Sequence, residues 1–264
     1  MKNRLGKLES QMLAYVQLRN LNKVSVGDIT GPLELSQVQA SELLSRMARG
    51  GLIARVRPGL YLVPRRIPLG GSWSPNEVLA LNTLMEDKEG RYQICGPNAF
   101  NRYGFDTQIP NRVYAYNDKL SGLRIIGSVE LALIKVNTQR LGETEITIGG
   151  DGEEAVYSSR LRTLLDAVYD WKRFNSIPRA YNWIESELLQ EKSVLEPLIQ
   201  VVIRYGNIGT IRRIGALLER VGVKEVTLLK LEKALTPTSA LIPWIPSRPK
   251  RGKVSSRWGV VYND

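Results

Sequence analysis

The sequence predicts an α+β protein in two parts: a small N-terminal unit of short helices closing on a β-hairpin, then a larger domain of mixed sheet and helix. Three observations carry that expectation. Apolar residues recur at helical spacing through the first fifty positions and then give way to two short β-rich runs around Arg57-Pro58-Gly59. A proline- and glycine-rich stretch, 67–75, follows. Beyond it, β-rich runs come first and helical patterns after, which is an α+β order rather than an alternating one.

Leu5, Leu8, Met12, Tyr15 and Val16 follow helical spacing and predict a first helix over 4–18. Residues 24–30 supply a short second helix that Gly31-Pro32 ends. The third is marked by Ser36 and Gln39 at capping-box spacing, where hydroxyl and amide satisfy free N–H groups at a helix start. Ala40, Leu43, Leu44 and Met47 form its buried stripe, and Gly50-Gly51 stops it. The opposite face carries Val38, Glu42, Ser45 and Arg49, flanked by Ser41 and Arg46, a small polar surface of the sort that enters a major groove. Strands over 52–56 and 60–63 then flank a type II-like turn, with proline presetting φ at one central position and glycine supplying positive φ at the next. Arg55 and Arg57 are expected near the hairpin tip. Three short helices and a basic hairpin predict a winged helix-turn-helix over 1–66, with 67–75 as linker and 76–264 as the second domain.

In that second domain the pattern predicts a helix over 74–88, a strand over 92–95 and a short helix over 97–103. Strands are expected over 112–116, 123–126, 131–136, 145–148 and 155–158, the last two joined through a turn at 149–152. Helices follow over 160–169, 178–190, 194–205, 208–220 and 226–235, and one returning strand over 253–262.

Charge points to the partner. The chain has 264 residues and a formal net charge of +11. Residues 1–66 hold eleven Lys and Arg against four Asp and Glu, while the rest holds 26 against 22. Positive charge concentrated in the first quarter favours nucleic acid. The expected contacts are Gln37, Ser41, Ser45, Arg46 and Arg49 on the third helix, with Arg55 and Arg57 on the wing. The remaining excess gathers in Arg248, Lys250, Arg251, Lys253 and Arg257.

Other chemistry finds little support. With no histidine, Ser-His-Asp and Cys-His catalysis and imidazole metal ligation are excluded. Cys95 is the single cysteine, so no intramolecular disulfide or cysteine-rich zinc site forms. Asp151, Glu153 and Glu154 read as a turn rather than as ligands, and Asp170-Trp171-Lys172 has the spacing of a nuclease motif without its strand context. Gly206, Gly209 and Gly215 lack the Gly-Lys-Ser/Thr ending of a phosphate loop. No enzyme activity, metal or cofactor is expected. Residues 1–10 are charged, without the apolar run of a signal peptide, and no apolar stretch approaches the length of a membrane span, so a cytoplasmic address is expected.

The sequence also resembles a family. Gly51-Leu52-Ile53-Ala54-Arg55-Val56-Arg57-Pro58-Gly59-Leu60-Tyr61 is similar to the wing of the AbiEi antitoxins of the abortive-infection E (type IV) toxin–antitoxin systems. Cys95-Gly96-Pro97-Asn98-Ala99-Phe100-Asn101 resembles that family's strand-to-helix step. Tyr157-Ser158-Ser159 with Arg162-Thr163-Leu164-Leu165-Asp166 resembles its most recognisable string. Arg212-Arg213-Ile214-Gly215-Ala216-Leu217-Leu218-Glu219 and Arg257-Trp258-Gly259-Val260-Val261-Tyr262-Asn263 resemble a later helix and the closing strand, with Ile214 where leucine is usual. The resemblance spans residues 4–263. It implies a winged-helix repressor of its own operon that binds double-stranded operator DNA, and a C-terminal domain that counters a cognate nucleotidyltransferase-like toxin. Arg212, Arg213, Arg248, Lys250 and Arg251 are the expected toxin-countering residues, against a structural role for Arg212, Arg213 and Gly215 in a close helix crossing. Two other readings stand beside it: a winged-helix regulator whose C-terminal domain senses a small ligand, and a carboxylate-dependent nuclease.

Overall fold

The structure, a computed structural model, describes residues 5–66, 72–149 and 152–264. It is mixed α+β. The N-terminal part runs α1 (Lys7–Leu18), β1 (Lys23–Ser25), α2 (Val26–Thr30), α3 (Gln37–Arg49), β2 (Ala54–Arg57) and β3 (Leu60–Leu62). The capping box at Ser36 is formed: Gln39 N–H donates to Ser36 Oγ at 3.3 Å, and Ser36 N–H donates to Gln39 Oε1 at 2.9 Å. Gly59 sits at φ +84°, the left-handed position that the Pro58-Gly59 turn needs. The segment expected as one helix over 24–30 divides instead, because residues 23–25 pair antiparallel with β3 (Val24 opposite Tyr61) before the chain turns into α2. The small sheet therefore has three strands, in the order β1-β3-β2.

The second stretch runs α4 (Glu77–Asp87), β4 (Tyr92–Ile94), α5 (Pro97–Arg102), β5 (Val113–Asn117), β6 (Gly122–Ile126), β7 (Val129–Lys135), β8 (Thr144–Ile148) and β9 (Glu154–Ser158). Asn76 caps α4 by accepting from Leu79 N–H at 2.7 Å. Helices follow: α6 (Arg160–Tyr169), α7 (Trp171–Phe174), α8 (Arg179–Gln190), α9 (Leu195–Tyr205), α10 (Ile208–Arg220) and α11 (Glu225–Lys233). The closing strands are β10 (Ile242–Pro243), β11 (Lys253–Ser255) and β12 (Val260–Tyr262). A six-stranded sheet has the order β6-β7-β5-β4-β9-β8, with β5 and β7 parallel and β6 antiparallel to β7. A third sheet has the order β10-β12-β11. The single strand expected over 253–262 is thus a hairpin, β11 and β12 being antiparallel, and β12 takes β10 in parallel on its other side. Trp258 and Val260 are buried, so β12 belongs to the interior, whereas β11 is largely exposed.

The chain divides into two compact units. The first comprises 1–92, 111–141 and 146–155, and the second 93–110, 142–145 and 156–264. This differs from a boundary at 67–75, most of which (67–71) lies outside the described residues. The first 66 residues do bury a core of their own, in which Met12, Val16, Ile29, Leu44 and Tyr61 are essentially inaccessible. Polar bonds nevertheless tie them to later parts of the same unit. Lys23 Nζ reaches Glu86 at 2.7 Å, Arg57 Nε reaches Asp87 at 2.6 Å and Arg65 reaches Glu153 at 3.3 Å.

Candidate nucleic-acid interface

Helix α3 buries Ala40, Leu43, Leu44 and Met47 and turns the opposite arc outward. Gln37, Ser41 and Arg49 are exposed on that arc, as are Glu42 and Val38, the latter 67% accessible. Arg49 makes no hydrogen bond or ion pair among the described residues, and the same holds for exposed Arg55 on β2. These two guanidiniums are free to take phosphate oxygens or guanine edges.

The other expected contacts are placed differently. Ser45 is half-buried with its Oγ 3.2 Å from Tyr61 Oη, so the hydroxyl is engaged between α3 and β3 rather than offered outward. Arg46 Nε lies 3.1 Å from Glu9, and Arg57 is held on Asp87 while its Nη1 donates to the Pro58 carbonyl at 2.9 Å. Burial raises the Asp87 carboxyl, but hydrogen bonding and charge from Arg57 and Lys88 outweigh it and leave the group below its usual range. Both arginines remain about half exposed (56% and 46%) although Glu9 and Asp87 are only 15% and 8% accessible, so a phosphate can reach either guanidinium from the solvent side.

The C-terminal arginines separate into two sets. Arg212 and Arg213 are only 4% and 8% accessible, which corrects their assignment as partner contacts. Arg212 Nε donates to Trp258 O at 2.5 Å, and Nη2 donates to Ala240 O at 2.7 Å and Gly259 O at 2.5 Å. It thereby fastens α10 to the closing strands. Arg213 donates to Pro243 O at 3.3 Å, and burial lowers the pKa of both groups. The physical reason is the helix itself: every residue from Thr210 to Leu218 is buried, so α10 has no free face there. Gly215 permits the packing, since a Cβ at that position would stand 2.4 Å from the Trp258 ring.

Arg248, Lys250 and Arg251 are exposed. Arg248 and Lys250 donate to the carbonyls of Asn263 (3.3 Å) and Leu241 (2.9 Å), while the Arg251 side chain has no partner among the described residues. Arg257 is bound by Glu225 at 2.8 Å and Glu232 at 2.7 Å.

No family model and no curated protein matches this sequence. A solved structure does. The chain resembles the crystal structure of the Rv2827c protein from Mycobacterium tuberculosis, with a TM-score of 0.59 and 13% identity over 97% of this chain and 92% of that one. At that identity the likeness shows the mixed α+β fold.

Among the described residues no group of three or more acidic or cysteine side chains is placed to hold a metal ion, and no helix is long and apolar enough to cross a membrane. Cys95 is buried, a small core residue. Val38 and Glu42 lie on the exposed α3 arc outside the expected contact set, and Val38 is the apolar one. Its exposure beside Gln37 and Ser41 suits it to a thymine methyl, and the signal was an apolar residue lying off the buried stripe.

Proposed function

We propose that this chain is a DNA-binding regulator that represses its own operon and counters a cognate nucleotidyltransferase-like toxin, in the manner of the AbiEi antitoxins it resembles. The observation that carries the reading is the pairing of an α3 arc bearing Gln37, Val38, Ser41 and Arg49 with an adjoining hairpin that presents an exposed Arg55, without a partner among the described residues. Three helices with the sheet β1-β3-β2 make the parts of a winged helix-turn-helix, whose third helix reads base edges while the wing holds backbone. In this reading Gln37, Val38 and Ser41 specify sequence, Arg49 and Arg55 supply affinity, and Arg46 and Arg57 join by leaving Glu9 and Asp87. The C-terminal domain acts through Arg248, Lys250 and Arg251, since Arg212 and Arg213 are committed to the interior.

Fluorescence anisotropy on the duplex upstream of the chain's own reading frame, against random duplex, tests the first half. Saturable binding with a preference for the upstream duplex is expected, and absence of binding to either at low salt overturns the reading. The gene beside this reading frame tests the second: a nucleotidyltransferase-like frame is expected there, its absence overturns the antitoxin half of the reading, and co-expression with it gives the rescue assay. Reversing Arg248, Lys250 and Arg251 to glutamate is expected to abolish rescue while leaving the anisotropy and the thermal melt unchanged. Full rescue by that folded variant removes this basic segment from the mechanism.

A further inference from the structure

A cleft of about 580 Å³ opens in the second unit among the C-terminal half of α8, the start of α9 and the turn between α10 and α11. Its walls are Leu188, Leu189, Leu195, Val221 and Val223. Leu189 is 84% accessible, which leaves a large apolar side chain standing in water at the rim. That volume falls within the range of small-molecule sites, lined mostly by apolar groups with a few polar ones for orientation. It is too small to seat several turns of a partner helix.

The polar groups have a sign. Lys192 and Lys224 line the cleft against a single carboxylate, Glu185. None of the three has an ion pair or hydrogen bond from its side chain among the described residues. Lys230 is paired with Glu196 at 2.7 Å and Arg257 with Glu225 and Glu232, while Glu191, beside Lys192, accepts from the Ser193 hydroxyl. Lys224 is also the N-cap of α11, and no side chain caps that helix start. Its first N–H groups add to the positive end, which favours an anion. Buried Thr227, one turn in, brings a hydroxyl to the same lining.

We propose that this cleft binds a small amphiphile with an apolar body and one anionic end, a medium-chain or aromatic carboxylate. The apolar part lies against Leu188, Leu195 and Val223, covering Leu189. The carboxylate is held by Lys192, Lys224 and the start of α11, and Glu185 disfavours a second anionic group. This site stands whether or not the chain binds DNA.

Isothermal titration of the full chain with decanoate, decanol and decyltrimethylammonium, each below its micellar concentration, separates the terms. Decanoate is expected to bind saturably, about tenfold tighter than decanol, because only it offers charge-assisted bonds to the lysines. The cation is expected to bind weakest. Lys192→Ala and Lys224→Ala are each expected to weaken decanoate several-fold and leave decanol unchanged. Both lysines are exposed, so these variants keep the fold, and a thermal melt verifies it. Val223→Trp, which fills the cleft, is expected to abolish binding of both. Equal binding of all three probes, decanoate binding indifferent to both lysines, or no saturable binding overturns the proposal. So does capture of an acidic helical peptide without decanoate binding.

Discussion

On α3 and the β2–β3 hairpin, Arg49 and Arg55 stand exposed without partners among the described residues; on α10, Arg212 and Arg213 are buried against backbone carbonyls. The residue type is the same, and Arg55, Arg212 and Arg213 all lie in segments that the family resemblance singles out. What differs is the helix beneath. Helix α3 has one apolar stripe and leaves its other arc to solvent, whereas α10 is enclosed from Thr210 to Leu218. The fixed fork of donors lets Arg212 gather three carbonyls, while Arg213 takes one and keeps its buried Nε without a hydrogen-bond partner among the described residues. Basic charge in a sequence therefore marks a binding surface only where the apolar pattern leaves a face open.

The largest effect that could break this comparison belongs to Arg212→Ala. Removing its donors leaves the Trp258, Ala240 and Gly259 carbonyls short of partners in the interior, so urea denaturation is expected to show a loss of about 3 kcal/mol or more. DNA affinity per folded molecule is expected to stay unchanged. Unaltered stability accompanied by lost toxin rescue would instead return Arg212 to a partner-facing role.

Gly215→Ala is the companion change, charge-neutral and aimed at the same crossing. Its methyl meets the Trp258 ring, and overpacking of this kind costs about 1–3 kcal/mol. A denaturation midpoint equal to that of the unaltered chain would show that α10 and Trp258 can part cheaply.

At the open face the expected pattern inverts. Replacing Arg49 and Arg55 together by alanine is expected to move stability by no more than about 0.5 kcal/mol. The log–log salt dependence of DNA binding becomes shallower by about 0.9 for each phosphate contact removed. Measured slopes that do not change would place DNA elsewhere on the molecule.

The smallest effect sharpens the account of Arg57. Asp87→Asn keeps the shape of the side chain and removes the charge that holds Arg57. Duplex binding is expected to tighten at low salt, because the guanidinium no longer has to be won from Asp87. Weaker binding would mean that Asp87 positions Arg57 for DNA rather than competing with it.

Local chemistry was readable from the sequence where a few neighbouring residues decide the outcome. The Ser36–Gln39 box, the Pro58-Gly59 turn, the α3 stripe and the helices at Arg160–Tyr169 and Ile208–Arg220 all lie where their residues put them. Strands β1 and β10 were missed because three and two residues carry no periodicity, and each exists only through pairing with residues far along the chain. The state of the candidate contacts was hidden for a related reason. Glu9 lies 37 positions from Arg46, and Asp87 lies 30 from Arg57, so no local pattern announces either pair. Ser45 sits on the outward arc by helical angle, yet Tyr61 from β3 reaches its hydroxyl.

The order in which the chain is threaded has a consequence for synthesis. It passes between the two units at 92–93, 110–111, 141–142, 145–146 and 155–156. The first unit is therefore incomplete until residue 155 has left the ribosome, long after the helical start and its hairpin have emerged. Residues 1–66 carry their own core and can condense early, but the Glu86, Asp87 and Glu153 side chains that engage Lys23, Arg57 and Arg65 arrive later. During that interval a nascent chain presents these three cations unpaired beside ribosomal RNA, at the stage when positive charge is least screened by the rest of the protein. Slow translation through 88–153 would prolong the exposure of Arg65 alone, since Glu86 and Asp87 precede that stretch, and ribosome-bound chains arrested before and after Glu153 should differ in how much salt is needed to free their N-terminal parts from the ribosome surface.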